Sequence, residues 1–115
     1  MRVLVCGGRD YNNADYMQKV LDDMHAATPF TMLIYGMARG ADDLAKIWAA
    51  ARGISRLGYP ADWGKHGRAA GPIRNKEMLT KGKPDLVIAF PGGSGTRNMI
   101  KQARAANVSV CALDQ

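Results

Sequence analysis

Three runs of the chain, Arg2–Cys6 (RVLVC), Thr31–Tyr35 (TMLIY) and Asp85–Phe90 (DLVIAF), are apolar almost without interruption. A strand with one wet face alternates apolar and polar residues. A strand buried on both faces does not, and such strands belong to parallel sheets covered by helices. Between the runs lie amphipathic segments with apolar faces at Ala14/Met17/Leu21/Met24, Ala41/Leu44/Ala45/Trp48/Ala51 and Met99/Ile100/Ala103/Ala106. Their spacing is helical. A weaker strand over Ile54–Tyr59, a short helix over Pro72–Lys81 and a last strand over Val108–Leu113 complete a βα rhythm. We therefore expect one α/β domain over residues 1–115, a doubly wound parallel five-stranded sheet in the order 3-2-1-4-5 with helices on both faces.

At 115 residues a chain of this kind buries about two-thirds of its unfolded surface, enough for one core without metals or disulfides. Cys6 and Cys111 lie inside apolar runs and form no C-x-x-C pair, so they read as buried structural thiols with neither metal nor redox spacing. In the expected order the fourth strand separates them by about 9–10 Å, beyond disulfide reach. No run approaches the ~20 apolar residues of a bilayer span, and the N-terminus lacks a signal-peptide pattern, so the expected location is the cytoplasm without membrane contact. The formal net charge of +6 favours an acidic partner: a nucleic acid, an anionic surface or a phosphorylated small molecule.

In an open parallel sheet, ligands bind beyond the carboxyl ends of the strands where the order reverses, here between the first and fourth. Gly7, Gly8, Arg9 and Asp10 follow the first strand, and Pro91, Gly92, Gly93, Ser94, Gly95 and Thr96 follow the fourth. Gly36, Arg39, Gly40 and Asp42 follow the second, beside them. Each loop is glycine-rich and leads into a helix, so backbone N–H groups and helix N-termini converge as they do on phosphate. Neither a Walker A sequence nor a full G-x-G-x-x-G fingerprint occurs. One such loop is equally well explained as a turn and cap. Three in register point to a shared anionic ligand.

Arg9, Arg39, Arg74 and Arg97 fall just before or within the first turn of an expected helix, where the macrodipole disfavours a cation. They read as ligand-binding, and removal of Arg74 is expected to leave stability equal or higher. Asp42 and Asp43 suit a helix start as caps, or as contacts to a ribose or metal. The segment Pro60–Gly71 exceeds an ordinary connection and reads as an irregular lid or binding loop. It carries Trp63, either a stacking face for a base or an anchor. It also carries Lys65, His66 and Arg68, which either close over an anion or belong to the solvated surface. No grouping of nucleophile, histidine and acid is visible.

The ordered motifs CGGRDY, GMARGADDLA, PADW, AGPIRNKEM and FPGGSGT resemble the SLOG superfamily, which includes the lonely-guy phosphoribohydrolases and the DNA-processing DprA proteins. Within it they are similar to the small single-domain YspA/YpsA-related branch, over nearly the whole chain. The resemblance implies a Rossmann-like fold, a nucleotide-derived ligand such as a nucleotide or ADP-ribose, with Asn75 joining the binding residues, and self-association as a homodimer or tetramer. The superfamily's hydrolases use an Arg and a PGGxGTxxE glutamate to cleave a nucleoside monophosphate. Arg74 matches that arginine, and is the catalytic residue implied for this chain if it is an enzyme. Asn98 follows the PGGSGT loop where that glutamate is expected, and Asp10 and Glu77 are its candidate substitutes. The expected role is thus ligand binding as sensor, carrier or sequestering protein. A nucleotide hydrolase with a non-standard acid is the alternative. Nucleic-acid binding ranks below both, since Tyr11 and Trp63 are too few for a stacking platform.

Overall fold

The computed structural model describes residues 1–114. These form β1 (Arg2–Cys6), α1 (Ala14–Ala27), β2 (Met32–Tyr35), α2 (Ala41–Ala51), β3 (Arg56–Gly58), α3 (Trp63–His66), a 3-10 turn (Gly67–Ala69), α4 (Ala70–Thr80), β4 (Leu86–Ala89), α5 (Ser94–Ala105) and β5 (Ser109–Ala112). The strands make a five-stranded sheet in the order β3-β2-β1-β4-β5. Every pairing is parallel, with Leu4 of β1 opposite Ile34 on one side and Val87 on the other. The expected Rossmann-like topology is the one observed.

Alternation along β1 sorts side chains to two cores. Val3 and Val5 pack with Met17 and Leu21 of α1 and with Ala45 and Trp48 of α2. Leu4 and Cys6 point the other way, toward Met78 and Leu79 of α4 and Met99 and Ala103 of α5. The uninterrupted apolar run is therefore required, because both sheet faces are dry. Trp48 is buried, as expected, and its ring nitrogen donates to Asp22 Oδ1 at 2.9 Å. All three helix faces are narrower than the spacing indicates: Ala14, Ala51 and Ala106 are exposed, while Ala49 is buried.

Cys6 and Cys111 are free thiols with β4 between them, since Cys6 pairs with Ala89 and Cys111 with Ile88. Burial pushes the Cys6 thiol up to about 12, with the nearby Asp42 carboxylate acting in the same direction. Cys111 is only half-buried, because β5 is an edge strand with one neighbour.

The segment Pro60–Gly71 is mostly helical, which corrects the expectation of an irregular loop. Asp62 caps α3 by accepting from the Lys65 N–H at 3.0 Å. Gly67, at φ +56, turns the chain into the 3-10 turn that continues as α4. The helix carrying Arg74 thus begins at Ala70 and not at Pro72. No helix among the described residues is long and apolar enough to cross a membrane.

Leu4 is fully buried on the central strand. Leu4→Ala is expected to cost about 2–5 kcal/mol, seen as a lower urea midpoint at unchanged slope.

Candidate functional site

The loop after β1 is tied to both of its neighbours by one residue. The Gly8 N–H donates to the Pro91 carbonyl at 2.8 Å, and the Gly8 carbonyl accepts from Ala41 at 3.1 Å and Tyr11 at 3.2 Å. Such approach needs missing side chains. A Cβ on Gly8 would lie 3.1 Å from both Gly92 Cα and the Pro91 carbonyl oxygen. Gly40, at φ +75, would drive a Cβ into the Gly8 and Arg9 carbonyls. The backbone of the three loops is therefore a single packed junction.

Beyond it opens a cleft of about 1190 Å³ at the carboxyl ends of β1 and β4. Its floor reaches Cys6, and its walls include the Gly92–Thr96 loop, Asp42, Arg68, Arg74, Asn75 and Asn98. Helix α5 starts here with Gly93 as N-cap and no side chain capping it. A Cβ on Gly93 or Gly95 would meet nothing within 4 Å. The first turn of α5 is thus uncovered along Gly93 and Gly95 where it lines the cleft, and an open helix start is a place where backbone and dipole favour an anion. A smaller lobe of about 360 Å³ adjoins the cleft and shares Arg9, Ala38, Trp63 and Arg74 with it. Arg9 lies over the Trp63 ring, 5.1 Å from its centroid, at this boundary.

Arg74 is half-buried and held from both sides. Its Nη1 donates to the Gly36 carbonyl, and its Nε donates to Asn75 Oδ1 at 3.1 Å. A Cβ on Gly36 would come within 2.6 Å of the guanidinium, so that glycine makes room for the arginine. Buried Asn75 then donates to the Gly95 carbonyl at 3.2 Å and to Asn98 Oδ1 at 3.0 Å. Asn98 Oδ1 also accepts from Gln102 Nε2 at 2.8 Å. A hydrogen-bonded chain therefore runs from β2 through α4 to α5. Burial lowers the Arg74 pKa from its ordinary range, opposed by the charge of Asp42. Asp42 is itself buried, accepting from the Ala38 N–H at 3.2 Å, and desolvation pushes its carboxyl up to about 6. Backbone donors at Ala38 and Gly36 and the charges of Arg74 and Arg9 pull the other way.

With this geometry in place, the family described as "YAcAr: YspA, cpYpsA-related SLOG family" matches residues 1–66. The chain belongs to this SLOG family. The "Gene 61 protein" of Mycobacterium phage D29 is 36% identical over 119 residues, covering 95% of this chain and 93% of that protein. The matched residues 1–66 contain the loops after β1 and β2. The phage relative extends the likeness across most of the chain, beyond the stretch that the family description matches.

The SLOG chain brings most of the expected residues to one place. Gly7, Gly8, Arg9, Asp10, Asp42, Trp63, Arg68, Arg74, Asn75 and Pro91–Thr96 line the main cleft, while Gly36 and Arg39 line the smaller lobe. Gly40 lines neither lobe and acts through the junction. Arg97, Lys65 and His66 lie outside both linings. Glu77 is absent from the linings as well and pairs with Lys81 at 3.6 Å. Arg74 sits in the second turn of α4, so the macrodipole argument does not apply to it. The sequence reading missed Cys6, Asn12, Asn13, Met78 and Met99 as wall residues. The two methionines carried only a core signal, because their positions follow the helical period of buried faces.

The junction and the open loop predict opposite responses to one added methyl. Gly92→Ala would press on Thr96 and on the Gly8 nitrogen, and is expected to destabilise by about 1–3 kcal/mol in chemical denaturation. Gly95→Ala, in the first turn of α5 with free space, is expected to stabilise by about 0.4–1 kcal/mol.

Asp42 predicts a pH response. From its ordinary value of 3.8 up to about 6, the unfolded chain has released a proton that the folded chain keeps. Stability therefore falls as pH rises through that window and levels off above it. Asp42→Asn removes the effect. Its melting temperature is expected to gain on the parent protein between about pH 4 and pH 7, by the equivalent of roughly 2 kcal/mol. A constant difference across that range would show that Asp42 titrates normally.

Proposed function

We propose that this SLOG protein binds a nucleotide or ADP-ribose-like phosphorylated ligand as a sensor, carrier or sequestering protein, with the phosphate on the first turn of α5. The observation that carries this reading is the uncapped helix start at Gly93, open to the cleft, with Arg74 and Arg68 in the same cleft. The guanidinium of Arg74 is held by protein acceptors before any ligand arrives, so little rotamer freedom remains to be lost on binding. Trp63, 47% exposed and lying on the cleft wall, offers a ring for a base or sugar face. Membership of the SLOG family supports the same ligand class.

One observation favours a second reading, an enzyme that cleaves such a ligand. Asp42 lines the cleft with its carboxyl raised to about 6, close to the range useful for proton transfer at neutral pH. Counted along PGGxGTxxE from Pro91, the hydrolases' glutamate position falls on Met99 and not on the expected Asn98, which is a neutral amide that accepts from Asn75 and Gln102. It holds the wall together and transfers no proton.

Calorimetric titration with AMP and ADP-ribose tests the binding reading. Gly95→Val is expected to keep the fold and lose binding, because its side chain enters the open cleft beside the first turn of α5. Undiminished affinity in a folded Gly95→Val protein would refute the phosphate position. Arg74→Ala is expected to weaken binding by about 1.5–3 kcal/mol. It is also expected to lower the melting temperature, reversing the expectation from the sequence, because Gly36 and Asn75 lose their donor. Release of free base from AMP by the parent protein, silenced by Asp42→Asn, would establish the enzyme instead.

A further inference from the structure

The smaller lobe has its own chemistry. Arg9, Arg39 and Arg74 line it, and its walls are completed by the apolar surfaces of Met37, Pro60 and Trp63, with no carboxylate among the lining residues. Three cations gathered around about 360 Å³ repel one another, and of the three only Arg74 has a scaffold role, through its bonds to Gly36 and Asn75. Arg39 reaches Asp10 at 3.3 Å, with both groups largely exposed, while the carboxylate whose charge Arg74 and Arg9 feel, Asp42, lies outside this lobe. An exposed pair of that kind contributes little and yields readily to a better anion. Met37 supplies a second sign. It is a non-glycine residue at φ 55, 56% exposed, a strained conformation that leaves a large apolar side chain at the mouth of the lobe. Such backbone outliers concentrate at ligand clamps.

Resting on the reading of the main cleft above, we infer that the smaller lobe is a second anion subsite, and that the ligand is a nucleotide carrying two anionic groups separated by its sugar. One group takes the α5 amides. The other passes the boundary formed by Arg74 and the Arg9–Trp63 stack, and displaces Asp10 from Arg39. Arg74 lines both lobes and contacts both ends of the ligand. The guanidinium fork suits a phosphate monoester, whose oxygens accept parallel N–H donors. A nucleotide with adjacent phosphates places both charges at α5 and leaves the smaller lobe empty.

The test compares adenosine 3′,5′-bisphosphate with ADP, which carries as many phosphates at one end, and with AMP, by calorimetry at fixed ionic strength. The bisphosphate is expected to bind at least tenfold more tightly than either. In an Asp10→Asn background, chosen so that no unpaired carboxylate is left behind, Arg39→Gln is expected to bring that ratio close to one. Arg39 is exposed, so this variant folds. Three results overturn the inference: equal binding of all three nucleotides, a bisphosphate preference that survives Arg39→Gln, or tighter binding of a single-stranded oligonucleotide than of the bisphosphate. Failure of every nucleotide to bind overturns the main-cleft reading and this one with it. Binding of AMP without any bisphosphate preference overturns only the second subsite.

Discussion

β1 runs through the middle of the sheet, and the chain leaves it through Gly8, whose N–H is committed to Pro91 and whose carbonyl is committed to Ala41 and Tyr11. Everything at the carboxyl edge depends on that commitment. Three loops share one contact point that only glycines fit, so the start of α2 and the loop leading into α5 are fixed relative to each other before any side chain is considered. The approach also explains an asymmetry among the glycines of the fourth loop. Gly92 is packed against the junction, whereas Gly93 and Gly95 face the cleft with free space around them. One short stretch thus supplies both a structural seam and an open anion site.

Polar side chains do for the second sheet face what backbone contacts do for the junction. Arg74 bonds to Gly36, Asn75 to Gly95 and Asn98, and Gln102 to Asn98 and Pro72, which links β2's loop, α4 and α5. Burial of these groups is tolerated because each finds a partner. The consequence for chemistry is that Asn98 spends its oxygen on the scaffold. The carboxyl in the cleft whose titration is shifted toward neutral pH is Asp42, placed there by the start of α2.

Much of the fold was legible in the chain. Uninterrupted apolar runs required strands dry on both faces, and the helical spacing between them required crossovers, which together with the handedness of parallel connections leaves few strand orders. The convergence of the loops followed from that order alone. Pro60–Gly71 was not legible, because its small and charged residues carry no helical period. Its helix depends on the Asp62 cap and the positive φ of Gly67. That single misreading moved the start of α4 to Ala70 and placed Arg74 in its second turn, where it is a scaffold member as well as a ligand contact.

The sequence by itself determined the helical spacing of α1, α2 and α5 and the burial of the central strands, because these follow from local pattern. Only the tertiary structure decided which side chains face the cleft together. Asp42 is an ordinary helix-start acid in the sequence, and its carboxyl is shifted up only when folding removes water from it, against the opposing pull of the Arg74 charge that folding also brings near. Arg9, Arg39 and Arg74 are far apart along the chain and line one lobe because β1 and β2 end, and α4 begins, at the same edge. Desolvation and long-range charge proximity are properties of a folded surface, and no local window of residues contains them.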